Sequence, residues 1–350
     1  MFARWGILSA ALRAAVLAAV VGLCALPVRA DDAGVARFYK GRNVQLYIGY
    51  SAGGGYDIYA RVLARHIGKH IPGNPTIVPQ NMPGAGSLRL ANYLYNVAPK
   101  DGTAFATFAR GMATEPLLGG QGTQFDARKF NWIGSVTDEV SVCAFWHTSG
   151  INTWQDMETK QYTVGGTGSA SDTDVFPNAM KRIFDLKLKL VTGFPGGSDV
   201  VLALERGEVN GRCGWSWSSL VSRSKRLYDE KQISIPVQLA LHKHEDLPDV
   251  PVIVDLTKDP QKLAALKLIF ARQTMARPYV APPGLPAERA QALRTAFEET
   301  MKDPEFLAEA QKTDLEVHPV TGAEIDTLLG ELYATPPDVV KLAIAAIGTR

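Results

Sequence analysis

The chain has few cysteines, no excess charge of either sign and no late hydrophobic run. There are three cysteines in 350 residues, which rules out a disulfide scaffold and a multi-cysteine metal cluster. The 37 Lys and Arg residues nearly balance 35 Asp and Glu. Binding to nucleic acid needs a concentrated basic face, and no segment supplies one. Beyond the first thirty residues no stretch reaches the ~20 apolar residues that span a bilayer. Phosphate-loop and serine-nucleophile signatures are missing too. There is no G-x-x-x-x-G-K-[ST] and no G-x-S-x-G. The six histidines include His66 and His70, spaced i, i+4 on a helix, but without the glutamate of H-E-x-x-H. No metal and no cofactor is expected, and the chain does not read as an enzyme. An exported α/β hydrolase remains the alternative from the catalytic class.

The start of the chain differs from the rest. Arg4 and Arg13 precede the apolar run "AAVLAAVVGLCAL" and then "PVRA". A basic start, a short apolar middle and small residues at the cut make a secretory signal over residues 1–30. Cleavage after Ala30 removes Arg4, Arg13 and Arg29. That leaves 34 basic against 35 acidic residues, a net charge of −1, and a periplasmic protein. Cys143 and Cys213 are then the remaining cysteines, on the predicted strands "VSVCAFW" and "VNGRCGW". In an oxidising compartment they are expected to form a disulfide, two buried thiols being the alternative.

Along the mature chain the same unit recurs. "NVQLYIGY" alternates like a strand, "SAGGG" follows, and a helix is predicted from Asp57 to His70 with Ile58, Val62, Leu63 and Ile67 as its apolar stripe. "TIVPQ", "NMPGAGS" and "SLRLANYLYNVA" repeat the pattern, and "AFATFAR" is a third strand. A second cycle runs from "QYTVGG" through "TGSASDTD" to a helix ending near Phe184. "LKLVTG", "FPGGSD" and "VVLALERG" follow, with Ser198 as the expected N-cap. Strand–loop–helix units in succession predict an α/β fold whose ligand edge lies at the carboxyl ends of the strands. Two lobes of similar design emerge: residues 31–136 plus 237–350, and residues 137–236.

Glycine in a strand-to-helix loop leaves room beside the unpaired N–H groups of the helix start, where the helix dipole favours an anion. Loops 53–55 and 84–86 in one lobe, and 165–168 and 196–197 in the other, are candidates for such a site. The dinucleotide fingerprint is not met at either loop of the first lobe. A carboxylate is the natural anion, and Gly54 and Gly86 are the glycines on which room for it depends.

"YSAGGGYDIYAR" followed by "NMPGAGSLRLANYLYNVAPKDGT" resembles the substrate-binding proteins of tripartite tricarboxylate transporters, the Bug/TctC family. "GFPGGSDVVLALERGEVNG" and "APPGLPAERAQALRTAF" extend the likeness over roughly residues 37–340. The resemblance implies a two-lobed periplasmic-binding-protein fold (type II, Venus flytrap), each lobe a mainly parallel sheet flanked by helices. It implies a monomeric receptor that binds a small organic carboxylate and hands it to a membrane permease. A ligand sensor for a two-component kinase would have the same fold. Carried over by motif, the ligand site comprises Tyr50, Ser51, Ala52, Gly53, Tyr56 and Asp57 on the first loop. Asn81, Gly84, Ala85, Gly86 and Ser87 lie on the second, and Thr167, Gly168, Ser169 and Ser171 in the other lobe. The chain departs from the family at Arg110-Gly111, where small hydroxyl residues are common, and at Gly214, where an aspartate is common. Arg110 suits bidentate pairing with a carboxylate, and Trp215 suits a wall for an apolar or aromatic part.

Overall fold

A computed structural model describes residues 32–348; the expected signal segment lies outside the described residues. Eleven strands are present: β1 (Asn43–Ile48), β2 (Thr76–Asn81), β3 (Ala104–Thr107), β4 (Asn131–Ser135), β5 (Ser141–Trp146), β6 (Tyr162–Gly165), β7 (Leu188–Val191), β8 (Gly211–Ser216), β9 (Ile233–Leu239), β10 (Pro278–Ala281) and β11 (Val320–Thr321). They form a six-stranded sheet, β11-β4-β10-β3-β1-β2, and a five-stranded sheet, β7-β6-β8-β5-β9.

Both sheets are mixed, rather than mainly parallel. β1 runs parallel to β2 and β3, as the strand–loop–helix units require. β10 then inserts antiparallel between β3 and β4. In the second sheet β6 is parallel to β7 and β8, while β5 is antiparallel to β8 and β9. β5 and β10, the strands with which the chain enters a sheet from the other lobe, are both antiparallel to their neighbours. A strand entering from the other lobe has no crossover helix to reverse its direction.

The first sheet is covered on one side by Val62, Leu63, Leu293 and Phe297 over Val44, Leu46 and Phe105. On its other side lie Leu90, Leu94, Trp132 and Ile325. The second sheet buries Phe145, Val164 and Val237 under Phe176 and Met180 of the helix Asp172–Ile183. Leu266, Ile269 and Phe270 of the helix Pro260–Phe270 join that core, as do Ala343, Ala346 and Ile347 of the helix Pro337–Ile347. The boundary expected at 237 therefore moves. β9 belongs wholly to the second sheet, and two segments of the tail cover it. Hydrophobic area decides this: those tail helices have apolar residues that the second sheet, not the first, is short of.

Local differences have local causes. The helix after the first glycine loop runs from Gly55 to His66 and tightens to a 3-10 turn over Ile67–His70, ahead of Pro72 and Gly73. The helix Gly197–Glu205 is capped by Gly196, not Ser198. The helix Trp217–Asp229 starts directly off β8, with no glycine or proline to mark it. Cys143 and Cys213 face each other on antiparallel β5 and β8 and are joined in a disulfide.

Candidate functional site

The carboxyl ends of β1, β2 and β3 bring the first lobe's loops to one edge, opposite the loops of the second lobe. The first loop is braced from within. The carboxylate of Asp57, one turn into the helix, accepts from the Gly53 amide at 2.8 Å, from Arg61 at 2.9 Å and from Asn81 at 2.9 Å. Asn81 also donates to the Tyr50 carbonyl at 2.9 Å. Burial opposes the charge on Asp57, but the bonds from Arg61, Gly53 and Asn81 hold its carboxyl below the usual carboxylate range. These two residues thus shape the loop and line neither cavity described below.

Tyr50 and Tyr56 stack with ring centroids 4.8 Å apart, and the Tyr56 hydroxyl accepts from the Arg110 amide at 3.1 Å. Burial pushes both phenols up, so both stay neutral donors. Around them a small, partly open chamber of about 50 Å³ lies between the lobes. Of the residues expected at the site, Tyr50, Gly54, Tyr56, Arg110, Thr167 and Ser171 line it. Asp172, Arg212, Ser216 and Ser219 line it as well and were not foreseen. An outer chamber of about 340 Å³ adjoins the first. Gly53, Gly54 and Trp215 reach it, together with the N-terminal residues Gly197 and Ser198 of the second-lobe helix.

The remaining expected residues lie around the chambers, not on them. Ser51 donates to Asp199 of the second lobe at 2.9 Å. Ala52 and Ala85 are exposed, and Ser169 is half-buried. Ser87 is buried, donating to the Gly49 carbonyl and accepting from the Ala109 amide, each at 3.1 Å. The second glycine loop touches the other lobe. Gly86 has φ 63°, and a Cβ there would stand 2.6 Å from the Ser171 amide. Gly168, with φ 132°, would bring a Cβ within 2.4 Å of the Gly86 nitrogen. Gly86 and Gly168 therefore permit two backbones to meet, a close approach that only glycine allows, while Gly84 is required for its own φ of 144°. Gly111 makes room in the same way for Arg272, whose Nη1 would lie 2.3 Å from a Cβ.

Arg110 is buried and already paired. Its Nε donates to the Asp172 carboxylate across the interlobe gap at 2.5 Å, and its Nη2 to Ser141 at 2.9 Å and Ser216 at 3.3 Å. Arg272 reaches the other Asp172 oxygen at 3.4 Å. A second buried pair, Arg277 with Glu139 at 3.1 Å, lies behind, and Arg277 also donates to Ser218 and Ser219 at 2.8 Å each. The expectation that Arg110 stands free for a ligand carboxylate is thus corrected, since Asp172 already takes its Nε. Nothing local in the sequence marks Asp172 as the partner of an arginine 62 residues away.

Trp215 is almost wholly buried, and the Arg212 guanidinium lies over its ring at 4.8 Å. The tryptophan therefore offers the outer chamber an edge already covered by a cation. Arg212 sits two residues before Gly214 and carries no sequence signal beyond its place in a strand.

Two α/β lobes crossed by the chain, with a cleft at the ends of their strands, define the periplasmic-binding-protein fold. The solved structure of the periplasmic binding protein BugD matches with a TM-score of 0.72, over 89% of this chain and 100% of that one, at 17% identity. MatC from Rhodopseudomonas palustris, solved with bound malate, matches with a TM-score of 0.68 over 85% and 99%, at 17% identity. An R. palustris protein solved with adipate gives 0.68 over 86% and 97%, at 16% identity. At these identities the likeness is one of fold. In sequence, the "UPF0065 protein in gbd 5'region" of Cupriavidus necator is 43% identical over 91 residues. That match spans 26% of this chain and 26% of the relative. No family model matches the chain. The resemblance to Bug/TctC substrate-binding proteins therefore holds, and these solved neighbours are binding proteins, not enzymes.

Proposed function

We propose that the chain is an extracytoplasmic solute receptor of the Bug/TctC type. It captures a small organic carboxylate between its two lobes and delivers it to a tripartite tricarboxylate-type permease. The observation that carries this reading is the interlobe chamber, with the Gly54–Gly55 main chain at a helix start as part of its wall. Tyr50, Tyr56, Thr167 and Ser171 supply hydroxyls to that chamber from both lobes. In its present closed form the chamber holds little more than a few waters, at ~10–15 Å³ each by the same kind of measure. A carboxylate enters when the lobes part, and it favours closure only by binding the closed form better. Adipate and malate in the neighbouring structures support an acid as the ligand class.

The protein is expected in the periplasm as a monomer, with its leader removed near Ala30. A thermal-shift screen of mono-, di- and tricarboxylic acids against residues 31–350 tests the reading, since ligand binding to the native state raises the melting temperature. Absence of any shift across the panel, with no heat in calorimetry, would defeat it. Uptake of the ligand found in that screen should fail in cells lacking the permease.

A further inference from the structure

The cleft holds more positive charge than its own acids neutralise. Four guanidiniums lie at or behind its wall: Arg110 and Arg212 line it, Arg272 pairs with the lining Asp172, and Arg277 packs against the Tyr56 ring from behind. Two carboxylates answer them. Asp172 is shared by Arg110 and Arg272, and Glu139 pairs with Arg277. Asp174 lies behind the second-lobe loop, occupied by the Gly168 amide and the Thr192 hydroxyl, and lines neither chamber. At the outer rim the exposed Glu205 and Arg223 offset each other in solvent.

Arg212 is the cation left over. Among the described residues no carboxylate pairs with it. It donates to the Gly197 carbonyl at 3.2 Å, and its buried Nε has no hydrogen-bond partner. It lines both chambers. Burial pulls its pKa down to about 9, with the Tyr50 phenol opposing and the Arg277 charge adding to the fall. A desolvated guanidinium without a counter-charge is costly, and the cost is removed when an anion arrives. The Arg110–Asp172 pair on the same inner chamber is already closed. One unanswered cation beside it suits a ligand that brings an anionic group beyond the one held at the helix start.

We propose that Arg212 is the specificity-determining cation of the cleft, and that the ligand is a short dianion whose second anionic group pairs with it. This rests on the receptor reading above and adds a charge requirement to it. The Arg212 guanidinium rests against the Trp215 ring at 4.8 Å, and an acid with a single charge leaves it unanswered.

The test compares succinate and glutarate with their monoamides, succinamate and glutaramate, by calorimetry on the mature protein. The monoamides keep the shape and drop one charge. The wild-type protein should prefer each diacid by about tenfold or more, the usual worth of a charge-assisted hydrogen bond. In Arg212→Gln the diacid should lose at least about tenfold more affinity than its monoamide, and Arg212→Lys should restore part of the preference. Melting of the ligand-free protein provides an independent readout. Arg212→Gln should melt at the same temperature as wild type or higher, because a half-buried charge with no counter-ion is removed. A fall of several degrees would make Arg212 structural and overturn the proposal. Equal binding of diacids and monoamides would also overturn it, while leaving the carboxylate receptor intact. No binding of any acid would remove both.

Discussion

Replacing Asp172 by asparagine tests the electrostatic organisation of the cleft most directly. The carboxylate sits in the first turn of the helix Asp172–Ile183 and bridges two guanidiniums, Arg110 and Arg272, whose side chains are 2% and 0% exposed. The amide keeps the volume and removes the charge. Arg110 retains hydrogen bonds to Ser141 and Ser216, and Arg272 retains one to Thr114 at 3.2 Å. Neither retains a counter-ion. Breaking a buried ion pair by removing one partner costs about 3–5 kcal/mol. For a chain of this size each kilocalorie shifts the melting temperature by about 2 °C, so the loss should be roughly 6–10 °C. The pair joins the lobes, which gives the molecule an alternative response. Opening the cleft rehydrates Arg110, so the melting loss shrinks while the radius of gyration in X-ray scattering grows. Asp172→Asn should therefore change one or both quantities. A variant with the melting temperature and scattering profile of the wild type would show that Asp172 carries no part of the interlobe balance.

Gly54→Val should fold normally yet lose ligand binding in calorimetry, because a Cβ at 54 meets nothing nearer than 3.9 Å and projects where the chambers meet. Gly86→Val should instead lower the melting temperature, since its backbone has φ 63° and its Cβ would stand 2.6 Å from the Ser171 amide. Converting Cys143 and Cys213 together to alanine opens a link between residues 70 apart and should cost about 4 kcal/mol in denaturant titrations. The Glu316 carboxylate, accepting from the imidazole of His244, raises the His244 pKa above its ordinary value. That contribution is complete below the unfolded value near ~6.5 and is lost as pH rises through the higher folded value. Wild type should therefore lose up to about 1 kcal/mol relative to His244→Gln between pH 6 and 8, read from paired thermal melts.

Local patterns made much of this molecule legible in its sequence. Alternation marked β1 and β6, and the glycine runs marked the loops that reach the cleft at Gly53, Gly54 and Thr167. Both signals arise within a few residues, from side-chain periodicity and backbone freedom. The strand β10 was not legible, because four residues beginning with proline match no period and gain their place only between β3 and β4. Nor was the different use of the two first-lobe loops: one opens onto the chambers, while the other is filled by its counterpart at Gly168.

The sequence alone determined the repeated strand–loop–helix design, the two cysteines fit to face each other and the glycines at the helix starts. Only the tertiary structure decided which charges meet. Asp172 finds Arg110 across 62 positions and Arg272 across 100, and among the described residues Arg212 pairs with no acid. Charge pairing depends on distance in space and on how much water is excluded, and neither quantity is written in the order of residues along a chain.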